Sequence, residues 1–140
     1  MNYWIFLIME DESIFKKRIA NKSWPISKRA KYQTHLAIGD DVIFYQGGMN
    51  KQRFLGTAKI KSLPKSIPEK IDYYVDIENI EILPTPLGIR NLLPKLELIK
   101  NQDYWGLYIQ GDIIKLNKND YLLILKEFSK LMKQKIKQNI

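Results

Sequence analysis

NYWIFLIM (2–9), EDESIFKKRIAN (10–21), SWPISKRAKYQ (23–33) and GDDVIFYQ (39–46) are the stretches that decide how this chain folds. The first is dense in aromatic and β-branched residues and predicts a strand. In the second, Asp11 or Ser13 caps a helix that turns Ile14, Phe15 and Ile19 inward and Lys16, Lys17 and Arg18 largely outward. Pro25 makes residues 24–26 extended, and a short helical turn fits within 27–37. Gly39-Asp40 then marks a tight turn into a strand over 41–46. Trp24 is the residue of interest at this corner. An indole is costly to expose and needs a partner for its N–H when buried. Set among lysines and arginines, it offers a flat face to a nucleobase while the cations take the phosphates.

Working outward, Gly47-Gly48 and Asn50 turn the chain back into RFLGTAKIKS (53–62), giving a hairpin. LPKSIPEKI (63–71) is a loop, and DYYVDIENIEIL (72–83) is a long strand with a shift of register near Asn79, ended by Pro84, Pro86 and Gly88. A short helix is expected near 89–93 and a strand or turn through 105–109. The last element is a helix: Asn117 and Asp120 have capping-box spacing, and Tyr121, Ile124, Leu125, Phe128, Leu131 and Met132 form one apolar stripe. Four or five strands with a helix after the first and another at the end make an α+β domain, one unit over residues 1–140. A curved, mostly antiparallel sheet closing into a small barrel would avoid exposed edges.

At 140 residues, with 45% hydrophobic residues and 16 aromatics, the chain is long enough for one real core. No apolar run reaches the roughly 18–20 residues needed to span a bilayer. The N-terminal apolar run lacks a basic flank and a small-residue cleavage site, so it does not read as a secretory signal. With no Cys there is no disulfide, thiol nucleophile or thiolate metal site, and a cytoplasmic location without membrane attachment is expected. The net charge of +8 is unevenly spread. Residues 1–62 hold 11 basic and 5 acidic side chains, 63–112 hold 5 and 8, and 113–140 hold 7 and 2. Within 16–31 there are seven Lys or Arg and no acid. A polyanion would see that region first, with the helical tail 130–140 as a second basic stretch. The competing explanation is plain: 19 of the 23 basic residues are Lys, and an AT-rich genome gives such a surface without selecting it for binding.

The catalytic inventory is thin. His35 is the one histidine, there is no HExxH, GxxxxGK[ST] or GxGxxG, and Glu10-Asp11-Glu12 suits a helix start better than an acid/base pair. No cofactor or metal is expected. The aromatics carry more: Trp4 sits within the first strand and belongs to the core, whereas Trp24, Trp105 with Tyr104, and Tyr45 are candidate walls for a flat ligand.

The order of these elements resembles the EVE domains of the PUA-like superfamily, relatives of the YTH domains. The likeness lies in Tyr3-Trp4-Ile5-Phe6, the acidic helix start Asp11-Glu12, the Trp-containing loop, and Gly39-Asp40 with Val42, Phe44 and Tyr45. It continues through Leu55-Gly56-Thr57-Ala58 and Leu116 to Tyr121. The resemblance implies a binding module rather than an enzyme, reading a modified base in DNA or RNA. In YTH domains a Trp after the first helix walls the cage for a methylated base, and Trp24 is similar in context. Their second Trp would fall in 63–71, which has no aromatic residue. The expected base pocket is therefore Trp24, Pro25, Ser27, Tyr45 and Trp105, with Lys22, Lys28, Arg29 and Lys31 on phosphates. Two alternatives stand beside it. ASCH domains share the PUA-like fold, and some resemble amidohydrolases using a Lys, a Thr and a Glu; Lys28 or Lys31, Thr34 or Thr57, and Glu10 could supply those types. The other is a structure-binding RNA module without a base pocket.

Overall fold

The computed structural model describes residues 1–9, 11–48, 51–66 and 72–138, the last five by backbone alone. Among them the order is β1 (Tyr3–Ile8), α1 (Glu12–Asn21), β2 (Ser23–Ile26), β3 (Asp41–Gln46), β4 (Arg53–Ile60), β5 (Lys65–Ser66), β6 (Tyr73–Gly88), β7 (Ile113–Leu116) and α2 (Lys118–Gln138). One curled sheet runs β2-β6-β4-β3-β1-β7, with β5 against β6. The β1–β3 pairing is parallel and the others antiparallel. The α+β expectation holds, as a half-barrel.

The parallel pair β1 and β3 is buried on both faces, which is why the two strands read as continuous apolar runs. Period-2 alternation sends Trp4, Phe6, Val42 and Phe44 to one cluster, joined by Phe15 of α1 and by Trp24, Ile60 and Val75. Ile5, Ile43 and Tyr45 go to the other, with Phe54, Leu92, Leu96, and Ile124 and Phe128 of α2. Asp40 ties the first cluster to the chain terminus. Its carboxylate accepts from Asn2 N (3.1 Å), Trp4 Nε1 (2.9 Å) and Ala37 N (3.0 Å) while only 3% exposed. Gly39 before it holds φ +91°, the left-handed backbone that favours glycine. Asp40→Ala strands three donors at once and is expected to cost about 2–3 kcal/mol in a denaturant titration. A loss below about 0.5 kcal/mol would show the indole N–H to be indifferent to its partner.

Asp11 caps α1: its Oδ1 accepts from Ser13 Oγ (2.6 Å), Ser13 N (3.1 Å) and Ile14 N (3.2 Å). The Ser13 hydroxyl first, then the Ile14 amide, hold its carboxyl below the ordinary value. Ile14, expected in the core, is 38% exposed. It lies one residue, or 100° of helix, from Phe15, which takes the buried position. At the other end Asp120 N–H donates to Asn117 Oδ1 (2.7 Å), as the capping spacing predicts. The Asp120 carboxylate turns elsewhere and accepts from Glu97 N and Leu98 N (2.7 and 2.8 Å), pinning the 89–109 segment to the start of α2.

Seven strands stand where four or five are expected: Ser23–Ile26 pairs as a strand, and Lys65–Ser66 forms a short one inside the segment expected as a loop. β6 does not stop at Pro84 but runs to Gly88. Its pairing with β4 shifts between Gly56↔Ile82 and Phe54↔Leu87, leaving residues 83–86 as a bulge. Both prolines fall inside that bulge, where no ladder N–H is lost. The earlier shift at Asn79 (φ 51°) is where the sequence places it. The segment expected as a strand or turn through 105–109 belongs to a 3-10 helix, Gln102–Tyr108, with Asn101 Oδ1 accepting from Asp103 N.

Candidate nucleic-acid interface

The two edges of the sheet path, β2 and β7, meet at a seam. Just beyond β2, Ser27 N–H donates to Asp112 Oδ2 (3.1 Å), and Asp112 lies just before β7. The Asp112 backbone carbonyl accepts from Leu7 N (3.0 Å), which fixes this turn to β1. From the seam the basic loop begins with a tight turn: Ala30 N–H donates to the Ser27 carbonyl (3.0 Å) and Arg29 N–H to Ser27 Oγ (3.2 Å). Ala30 and Tyr32 then pack against the core, Tyr32 at 5.7 Å from the Trp4 ring. The loop is thus anchored at both ends, with its cations pointing away.

Those cations are Lys28, Arg29 and Lys31, all exposed. Among the described residues neither they nor Lys22 form an ion pair; other cations do, as in Arg53–Glu12 and Lys59–Asp41 (2.6 and 2.8 Å). Lys28 Nζ sits 5.1 Å above the Tyr73 ring and Lys31 Nζ 5.3 Å above Tyr32, so their charge is oriented but not neutralised. Beside them a cleft of about 350 Å³ opens, with Arg29, Lys31 and Tyr32 on one wall and Tyr108, Asp112 and Lys115 on the other. Cations and aromatic rings around a narrow cleft suit a nucleic-acid backbone with one base turned in.

The five expected pocket residues are not brought together. Trp24 is fully buried (0% exposed). It belongs to β2, where alternate residues Trp24 and Ile26 point inward and Pro25 points out to solvent. Phe44 and Phe6 stack on it at 4.9 and 5.9 Å, and Phe15 meets it edge-on at 6.1 Å. The open pocket wall expected of it is absent. Tyr45 is buried in the other cluster, edge-on to Phe54 at 5.2 Å. Burial pushes its phenol up to about 12, with Arg90 opposing. Trp105 packs against that same cluster, with the Arg90 guanidinium 5.8 Å above its ring. Tyr45 and Trp105 therefore lie across the sheet from Trp24 and cannot form its second wall. Ser27 and the loop cations do share one face. Lys22, the left-handed C-cap of α1, is also exposed. His35 is exposed and stands 5.6 Å from Tyr32.

The residues of the ASCH-like alternative are scattered as well. Thr57 borders a groove beside Glu81 and Leu125, away from the seam, Thr34 lies near Lys31 in the loop, and Glu10 is outside the described residues. Asp112, Tyr108 and Lys115 were not anticipated. The signal for Asp112 was present: Gly111-Asp112 before an apolar strand repeats Gly39-Asp40, whose aspartate is also a hydrogen-bonding hub.

The sequence profile of the EVE domain matches residues 2–127. No curated protein matches significantly. Among solved structures, human THYN1, in complex with 5-methylcytosine-containing DNA, superposes with a TM-score of 0.65 at 11% identity, covering 91% of this chain and 98% of that one. The YTH domain of Zygosaccharomyces rouxii MRB1, in complex with N6-methyladenosine RNA, gives 0.62 at 18% identity, over 90% and 86%. A hypothetical protein from Leishmania major gives 0.69 at 16%, over 94% and 97%. At such identities the likeness speaks to the fold.

Proposed function

The chain belongs to the EVE domain family, and on that premise we propose that it binds nucleic acid along the β2–β7 seam and reads one modified base there without altering it. The observation that carries this is the anchored loop 27–32, whose Lys28, Arg29 and Lys31 have no acidic partner among the described residues while a cleft lies beside them. Lys22 adds to the same charge. The methylated DNA and RNA bound by THYN1 and the MRB1 YTH domain support a modified base as ligand, with Ser27 and the backbone near Pro25 at its edge. Tyr32 and Tyr108, rather than Tyr45 and Trp105, are the rings at the cleft.

A methyl group entering an apolar site adds roughly 1 kcal/mol of burial, so discrimination of several-fold to about tenfold between methylated and unmethylated oligonucleotides is expected. Fluorescence anisotropy on matched DNA and RNA pairs measures it. Mass spectrometry after long incubation with stoichiometric protein is expected to return the modified nucleosides unchanged. A deacylated or deaminated product, lost in Lys28→Ala or Lys31→Ala, would replace the reader with an ASCH-like hydrolase. Tight binding indifferent to every modification would leave only structure-directed binding.

A further inference from the structure

Leu7 and Asp112 fix which way the backbone of β7 faces. Leu7 N–H donates to the Asp112 carbonyl (3.0 Å), so these two form a hydrogen-bonded pair of the antiparallel β1–β7 ladder. Such pairs alternate along a ladder, which makes Ile5↔Ile114 and Tyr3↔Leu116 the next ones. Ile113 and Lys115 therefore turn their N–H and C=O groups away from β1, and β7 is the last strand of the sheet path on that side. Among the described residues no hydrogen bond reaches these outward groups. The other end of the path is closed differently. Ile77 N–H donates to the Lys22 carbonyl (3.0 Å), so by the same alternation Ser23 and Pro25 of β2 face outward, and proline has no N–H to offer. The open edge is that of β7.

This edge is also the floor of a groove. The cleft beside Arg29 and Tyr32 includes Lys115, and a second hollow of about 350 Å³ continues from it, past Tyr32 and Lys115 to Lys100. Lys115 is exposed, whereas Ile113 is buried. It lies three residues beyond Asp112 and its Ser27 contact, about 10 Å along the strand. The carboxylates of the groove are engaged by protein donors. Asp112 accepts from Ser27 N, Asp120 from Glu97 N and Leu98 N, and Glu97 from the Asn117 and Asn119 side chains (2.6 and 3.2 Å). Arg29, Lys31, Lys100 and Lys115 form no ion pair among the described residues, so the free charge along the groove suits a polyanion.

We infer that the main chain of Lys115 reads the nucleotide next to the modified base, its N–H and C=O bonding to that base's Watson–Crick edge. This rests on the base-reading function proposed above, which puts the modified base at Ser27, and it adds a second subsite further along β7. A residue on a free strand edge offers one donor and one acceptor side by side. Every base carries the complement on its Watson–Crick edge: N1 and N6–H in adenine, N3 and N4–H in cytosine, O6 and N1–H in guanine, O4 and N3–H in uracil and thymine. The subsite thus selects no letter. It demands a base without a pairing partner, so the ligand is single-stranded on at least one side of the modified base.

The test uses single-stranded RNA with one N6-methyladenosine and single-stranded DNA with one 5-methylcytosine. On each side in turn the flanking base is C5-methyluracil or its isomer N3-methyluracil, which has the same mass and charge but a blocked Watson–Crick edge. On one flank the N3 isomer is expected to bind about three- to tenfold more weakly, the range of ordinary hydrogen bonds. Exchange of the Lys115 amide in D2O is expected to slow about tenfold or more in the saturated complex, with the Ile114 amide, already bonded to β1, unchanged. Lys115→Ala is expected to keep the isomer difference and Lys115→Pro, which removes the N–H from an edge that tolerates proline, to abolish it. The isomer and exchange measurements on the parent decide the matter even where Lys115→Pro does not fold. Equal affinity for the two isomers on both flanks, or unchanged Lys115 exchange at saturation, would overturn the subsite and leave the base-reading function standing. An isomer difference lost in Lys115→Ala would overturn it too, by placing the contact on the side chain. Absence of binding to every methylated strand by the parent would sink the base-reading function itself.

Discussion

Trp24→Ala is expected to lower the stability of the domain by about 3–5 kcal/mol, the range for emptying a large buried aromatic site. For a chain of this size that is a fall in Tm of roughly 10–20 °C, out of a total stability of about 5–15 kcal/mol. The reason is the ring's surroundings: Phe6, Phe44 and Phe15 all within 6.1 Å and no solvent contact. β2 is an edge strand held by β6, through Trp24↔Val75 and its neighbours. A hole beneath it loosens the strand that positions Ser27 and the basic loop, so nucleic-acid binding is expected to fall with stability. Thermal melts and denaturant titrations of the same preparation measure both. An unchanged Tm with lost binding would show that the ring faces a ligand and not the core.

The second large effect concerns charge. The triple substitution Lys28→Ala, Arg29→Ala and Lys31→Ala is expected to cut the slope of log affinity against log salt by about three units. At about 0.1 M salt it should weaken binding by roughly 10²- to 10³-fold. These side chains are exposed and unpaired among the described residues, so each is expected to change stability by no more than about 0.5 kcal/mol. Lys115, across the cleft, is expected to add about one further unit. An equal loss on replacing Lys126, Lys130 and Lys133 of α2 would place the polyanion on the helix instead.

How much of this was legible depends on how local each feature is. β1, α1, β3, the β3–β4 hairpin and α2 are written in short-range patterns: an apolar run, a capping aspartate, a Gly-Asp turn, a stripe. β6 was cut short because proline breaks a ladder unless a bulge receives it, and the bulge is set by β4 across the sheet. There Gly56 permits an approach at which a Cβ would meet the Glu81 carbonyl. The 3-10 helix at Gln102–Tyr108 has no period long enough to announce it. At the site, the loop cations were legible from charge alone. The identity of the pocket rings was not. Whether Trp24 faces in or out depends on the pairing of a four-residue strand, Ser23–Ile26, with β6. Tyr45 and Phe44 are adjacent in sequence, yet the pleat sends them to opposite faces. The Asp112 carboxylate acquires its role through Ser27, 85 residues away.

Nucleic acid lying along the seam will shift the amide resonances of the residues that form it. A single-stranded oligonucleotide carrying one methylated base is titrated into the labelled protein at moderate salt. The largest perturbations are expected at Ser27 through Tyr32 and at Gln110 through Lys115, with a smaller one at Lys22. Perturbations confined to α2 or to the Ile82–Pro86 bulge, with the seam unmoved, would contradict it.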